Sequence, residues 1–356
     1  MPSDPPSADR PIASAINRNY FGDEEQLVHA LAEAARVSDS QREKISARAK
    51  GFVEGVRIHQ SKRTGLDAFL RKYDLSSQEG VILMCLAEAL LRIPDDATAD
   101  KLIADKIAGG NWASHLSDAE SLFVNASTWG LMLTGRIVRP SDVDMHDPRS
   151  FLARIAGRLG EPVLRAAFRQ AMRIMGHQFV MGRTIDEALE RSISAESELF
   201  RHSFDMLGES ALTSHDADRY LASYHQAIKQ ISSHSSRGSV IEAAPSISVK
   251  LSALFPRYEF TQRRRVLAEL APRLHGLAVA ARDGNIPLTV DAEEAERLEL
   301  SLELIEHVAR SKALQGWEGF GLAVQAYQKR APEVIRWLKD LAQTSGRRLN
   351  IRLVKG

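Results

Sequence analysis

Residues 246–291 read SISVKLSALFPRYEFTQRRRVLAELAPRLHGLAVAARDGNIPLTVD, and the fold turns on this stretch. It opens on a short β-branched run, Ser246–Leu251, and passes through a helical stretch, Thr261–Arg282. A second apolar run, Ile286–Val290, closes it. Pro272 is expected to kink the helix, and Pro287 stands at the start of its strand, where a missing amide costs least. Outward from this unit the pattern repeats. Further strands are predicted at His202–Gly208, Gly321–Gln325 and Leu349–Val354, with helices at Asp216–Ser232, Glu293–Ser311 and Ala331–Thr344. Alternation of this kind builds a parallel sheet with right-handed crossovers. An open doubly wound sheet and a closed (β/α)8 barrel both satisfy the pattern.

Upstream of about Phe200 the periodic signals are helical. Asp23–Val37 spaces Leu27, Leu31 and Ala34 as a helix does, with Asp23, Glu24 and Glu25 at the end where acidic groups are favourable. A second helix is predicted over Ser38–His59. Ser76 with Glu79, and Thr184 with Glu187, have capping-box spacing, and Pro94 stops the apolar run behind the first pair. Between Gly109 and Pro148 the sequence turns irregular, with Trp112 and Trp129 as packing anchors. The expected organisation is an N-terminal helical arm over 1–60, a helical domain over 61–135, connecting helices over 136–200 and the β/α region over 201–356.

With 356 residues, 44% hydrophobic and 26% charged, the chain has the composition of a globular protein, not of a disordered or coiled-coil one. Its 47 basic and 46 acidic residues leave no global field for nucleic acid or anionic lipid. The single cysteine, Cys85, lies in an apolar run, which rules out an internal disulfide or a Cys-rich metal site and points to a buried thiol. The first residues lack the layout of a signal peptide, and Val81–Ile93 is too short to span a bilayer. A cytoplasmic type of chain is expected.

Each predicted strand ends near a polar residue: Glu209, Lys250, Asp291, Gln325 and Arg352. In a parallel barrel that end is the mouth where sites are built, one residue from each of several strands. Two cations, two carboxylates and an amide suit an anionic substrate and a cofactor that needs hydrogen bonds. They suit metal hydrolysis poorly, and no HExxH pair occurs among the histidines. The glycines Gly316, Gly319 and Gly321 precede a strand, the wrong context for a dinucleotide fingerprint. Arg263–Arg265 reads as a solvated helix start.

At these positions the sequence resembles the proline dehydrogenase region of the bifunctional proline utilization A family. The resemblance is carried, in order, by FDMLGESALT (Phe204–Thr213), SISVKLSALFPRYEF (Ser246–Phe260), IPLTVDAEEAERLELSLELIE (Ile286–Glu306), FGLAVQAYQKR (Phe320–Arg330) and RLNIRLVKG (Arg348–Gly356). It implies a (β/α)8 barrel of the proline dehydrogenase type behind a helical N-terminal region. Residues 201–356 would form its partial FAD-binding portion, about five strands. The implied reaction is oxidation of L-proline to Δ1-pyrroline-5-carboxylate, with hydride passing to FAD and electrons to a membrane quinone. Lys250 would pair with the proline carboxylate, and Asp291 would order the pocket near the substrate amine. Gln325, Arg352, Lys355, Val324 and Met206 would face the flavin, with Arg352 near its reducible nitrogen, and Glu209 would line the substrate pocket. A homodimer through the helical arm, no nucleic-acid partner and peripheral contact with the inner face of the plasma membrane are also implied. Since the family continues beyond the position of Gly356 through three more strands, a fragment with little turnover alone is expected. The complete parent would also be an L-glutamate γ-semialdehyde dehydrogenase. Two rivals stand beside this reading: a Schiff-base barrel aldolase using Lys250 as nucleophile, and a non-enzymatic dimerisation fragment.

Overall fold

The computed structural model describes residues 11–62, 180–182, 184–193, 200–206, 208–235 and 240–356. The expectations for Cys85, Ser76 with Glu79, Trp112, Trp129 and most of 61–200 fall outside these residues. The chain divides into two compact units, Met1–Arg36 with Thr184–Gly356, and Val37–Arg183.

In the first unit two short helices, α1 (Pro11–Arg18) and α2 (Glu24–Ala34), precede the sheet. Asp23 caps α2 by accepting the amide of Gln26. The second unit contributes α3 (Asp39–Lys62). Helix α4 (Ile185–Ser192) starts where the sequence places its cap, with Thr184 accepting the amide of Glu187.

The β/α region alternates as predicted: β1 (Ser203–Asp205), α5 (Ser214–His234), β2 (Ser246–Val249), a single turn α6 (Leu251–Leu254), α7 (Arg263–Asp283) and β3 (Leu288–Val290). Then follow α8 (Leu298–Ala309), β4 (Phe320–Gln325), α9 (Ala331–Ser345) and β5 (Asn350–Val354). All pairings are parallel and the spatial order is β1-β2-β3-β4-β5, so each unit adds beside the one before it. Strands β3 and β4 are buried almost throughout, as apolar strands covered on both faces must be. On the helix side α7 buries Val266, Leu270, Leu274 and Leu277, and α8 buries Leu300, Leu304 and Val308. Each such side chain stabilises the fold by roughly 1.5–3 kcal/mol. Helix α7 runs unbroken through Pro272, so the proline removes one amide donor without ending the helix. Gly321 lets β4 approach β5 closely, since a Cβ there would collide with the carbonyl oxygen of Asn350.

Two strand-end expectations need correction. Strand β1 stops at Asp205, and the chain then bends through Gly208 (φ 135°) and Ser210 (φ 55°), which leaves Glu209 exposed and off the strand. Arg352 lies in the middle of β5, which continues to Val354. Even so, its Nη2 donates to Ser203 Oγ on β1 at 2.9 Å. In a flat sheet four strand spacings of about 4.8 Å would separate β1 from β5. One side chain bridges them because the sheet curls, and Arg352 is a chord across that curl.

Candidate active site

Lys250 follows β2 directly and is placed twice. Its backbone N–H donates to Tyr224 Oη of α5 at 3.2 Å. Its Nζ donates to Asp205 Oδ1 and Oδ2 at 3.0 and 3.1 Å and to Asp291 Oδ2 at 3.0 Å. Asp291 is fixed from its own side, because its amide donates to Val249 O and its Oδ1 accepts from Arg352 Nη1 at 3.2 Å. The same Nη1 reaches Ser248 Oγ at 3.0 Å. Four strands or strand ends thus bring together two cations and two carboxylates with no net charge.

The electrostatics follow from this arrangement. Burial disfavours the Lys250 ammonium, but the hydrogen bonds and charges of Asp205 and Asp291 outweigh it and raise its pKa above the ordinary lysine value. Such an amine stays protonated at neutral pH, which opposes the nucleophilic role that a Schiff-base aldolase requires. Burial pushes the Tyr224 phenol up to about 12, against the hydrogen bond from the Lys250 amide, so it remains a neutral acceptor there.

Beside this quartet runs a second polar system. Glu293 accepts the Ser252 amide at 3.0 Å and the Ser252 hydroxyl, while Ser252 Oγ accepts the Ser210 amide at 3.1 Å. Burial raises the Glu293 pKa, and the two bonds from Ser252 oppose that rise. The Glu293 carbonyl accepts Gln325 Nε2 at 3.2 Å, and Gln325 Oε1 accepts Gln328 Nε2 at 2.6 Å. A shallow cleft borders both systems, lined by Asp291, Glu293, Gln325 and Gln328 among others.

Of the predicted site residues, Lys250, Asp291 and Arg352 are in direct contact. Gln325 lies in the neighbouring chain of amides, Val324 is buried in β4, and Met206 is half-buried just past β1. Lys355 is exposed, and its carbonyl accepts the amide of Tyr327 at 3.1 Å. Glu209 is outside the quartet, and Asp205 occupies the place expected of it. Sequence reasoning missed Asp205, Ser203, Ser248, Tyr224 and Glu293. Period-2 alternation could have found three of these, since Ser203 shares a strand face with Asp205 and Ser248 shares one with Lys250. Among the described residues no metal-holding group of His, Cys, Asp and Glu occurs, and no helix is long and apolar enough to cross a membrane.

Successive parallel β/α units with a paired charge cluster at their strand ends define a barrel site of the kind enzymes use. Comparison with known proteins narrows the class. The family model for proline dehydrogenase matches residues 188–356, and that for the proline utilization A proline dehydrogenase N-terminal domain matches 11–57. A third, described as the DNA-binding domain of proline dehydrogenase, matches 65–179, where acidic and basic residues nearly balance and which the described residues do not include. Residues 188–356 belong to the proline dehydrogenase family, and the sheet within them is five consecutive strands of that family's (β/α)8 barrel. The chain is 51% identical over 346 residues to the bifunctional protein PutA of Salmonella typhimurium, covering 96% of this chain and 26% of that protein. With the Escherichia coli bifunctional protein PutA it shares 49% over 349 residues, again 96% of this chain and 26% of that one. A solved bifunctional proline utilization A matches with a TM-score of 0.66 at 43% identity, covering 100% of this chain and 34% of the other. The chain therefore spans about a quarter of the length of the curated relatives it matches.

Proposed function

We propose that this chain forms the proline-oxidising part of a flavoenzyme that converts L-proline to Δ1-pyrroline-5-carboxylate. The single observation that carries the reading is the quartet of Lys250, Asp205 and Asp291 at three strand ends with Arg352 of β5, in a region that matches the proline dehydrogenase family. A zwitterionic amino acid meets complementary charge there: Lys250 faces its carboxylate, and Asp291 lies beside its amine. Both contacts gain strength in a water-poor mouth.

The donors suit FAD. Arg352 is a partly open guanidinium (38% exposed) held at its inner edge by Ser248, Ser203 and Asp291, and Gln325 offers an oriented amide. When bound, the flavin supplies the hydride acceptor. Arg352 and Gln325 would hold it, Val324, Met206 and Lys355 would complete that wall, and Glu209 would stand at the pocket's rim. Arg352 would supply positive charge to the reduced flavin, whose negative charge it would help to balance. Asp291 keeps Lys250 and Arg352 apart and oriented, so that one cation serves the substrate and the other the cofactor.

The wider reading takes in a membrane quinone as electron acceptor, a cytoplasmic location with peripheral membrane contact, and a homodimer formed through the arm at 1–60. It also assigns 61–135 to a helical domain and 136–200 to connecting helices. A second activity, that of an L-glutamate γ-semialdehyde dehydrogenase, belongs to the same reading. The test is the visible spectrum of the protein, purified as the cell makes it, before and after anaerobic L-proline. A flavin band that bleaches supports the reading. Folded protein that neither carries nor takes up FAD refutes it.

A further inference from the structure

The loop after β4 is gripped from the N-terminal end of the chain. Arg330 is only 4% exposed, and among the described residues no carboxylate pairs with it directly, Glu299 acting on it from farther off. Its guanidinium is met instead by the Ala295 carbonyl, by Gln328 Oε1 at 2.9 Å and by the face of Tyr20, 4.3 Å from the ring centroid. Its neighbour Lys329 donates to the Gly22 carbonyl at 2.9 Å, 307 positions earlier, and pairs with Glu24 at 3.3 Å. Two consecutive cations therefore hold the turn between α1 and α2. From Arg330 the contacts run inward through Gln328 to the oxygen of the Gln325 amide, whose nitrogen is fixed separately on Glu293 O. The same loop also fixes the end of β5, because the amides of Ala326 and Tyr327 donate to Val354 O at 2.7 Å and Lys355 O at 3.1 Å.

We propose that the α1–α2 turn is a clamp, with Tyr20 and Arg330 as positioning residues that hold the loop bearing Gln325 in the geometry it presents at the strand ends. The argument is one of packing. A buried guanidinium that loses its aromatic cover must find water, and the loop then opens to admit it. Opening releases Gln328 and leaves the Gln325 amide held at its nitrogen alone, by Glu293 O. The consequence for flavin binding rests on the function proposed above, whereas the clamp itself does not.

The test compares Tyr20→Ala with Tyr20→Phe, which keeps the ring, and with Asn17→Ala, which cuts only the exposed tie from α1 to Glu299. Amide hydrogen exchange is read in the ligand-free protein at Gln328 and Ala331, whose N–H groups bond within this loop. FAD affinity is read separately by quenching of flavin fluorescence. Tyr20→Ala should speed exchange at both amides and weaken FAD binding, each about tenfold, with the other two variants within about twofold of the parent. Should Tyr20→Ala fold poorly, Gln328→Leu cuts the same chain without touching the turn. It should weaken FAD equally, and the double variant should lose no more than the single ones. Unchanged exchange in Tyr20→Ala, or an equal loss in Asn17→Ala, overturns the clamp. If the parent takes no FAD, the proposed function falls, and the exchange data alone decide the clamp.

Discussion

The charge quartet and the amide chain beside it lie at the same end of one sheet but are built on opposite plans. In the quartet Lys250, Asp291 and Arg352 each have more than one partner, and Asp205 (50% exposed) and Arg352 (38%) stay open to water. An arriving ligand can replace one partner without stranding the other. In the chain from Glu293 through Gln325 and Gln328 to Arg330, polar groups are linked in series, half-buried along the way and buried at Arg330. Breaking one link leaves a group unsatisfied, at a cost of roughly 1–3 kcal/mol. Shared, open charges suit binding, and serial, half-buried amides suit positioning.

The sharpest way to break this contrast is Lys250→Met. It strips a partner from two carboxylates at once, and we expect kcat/KM for L-proline to fall at least about a hundredfold, near 3 kcal/mol. A tenfold fall or less would mean that the quartet is not where substrate binds. Asp291→Asn should follow at about 2 kcal/mol in kcat/KM, since it weakens the hold on both cations. Glu293→Gln belongs to the other plan and should appear in urea unfolding as a loss of roughly 1–2 kcal/mol at low pH. Its pH dependence has a definite sign. The folded pKa is raised above 4.5 by burial, so the stability this group contributes is complete below the unfolded value. It is withdrawn as pH rises through the folded value. The wild type should therefore lose stability relative to Glu293→Gln across that rise, and parallel curves would refute the burial argument. Tyr224→Phe should cost about 1 kcal/mol, by releasing the Lys250 amide. Smallest is Asp205→Asn, under about 1 kcal/mol, because half of that side chain faces solvent. Should Asp205→Asn match Asp291→Asn, openness to water would not be what separates these partners.

The fold was legible where burial leaves a signature. Strands β2, β3 and β4 are short apolar runs because the parallel sheet is covered, and their predicted spans agree with the structure to within two residues. The meeting of Lys250 with Asp291 was legible for the related reason that a charge next to such a run must point to the open end, whereas Arg352 joins them from the middle of its strand. Asp205 was not, because strand β1 ends there while the apolar pattern of Phe204, Met206 and Leu207 carries the eye on to Glu209. Only the positive φ of Gly208 and Ser210 shows that the path has already turned. Glu293 escaped for the opposite reason. It sits among Glu294, Glu296 and Glu299, a composition that reads as solvated surface, and its burial comes from a distant loop through Ser252.

The consecutive order of the strands also sets a timetable for synthesis. Spatial neighbours are sequence neighbours, so the sheet can lengthen at its trailing edge as units emerge from the ribosome. Asp205 arrives first and alone, Lys250 cancels it, Asp291 restores a negative charge and Arg352 cancels that in turn. The growing site thus never holds more than a single uncompensated charge. The last cation to arrive is the one that ties the newest strand back to the oldest through Ser203.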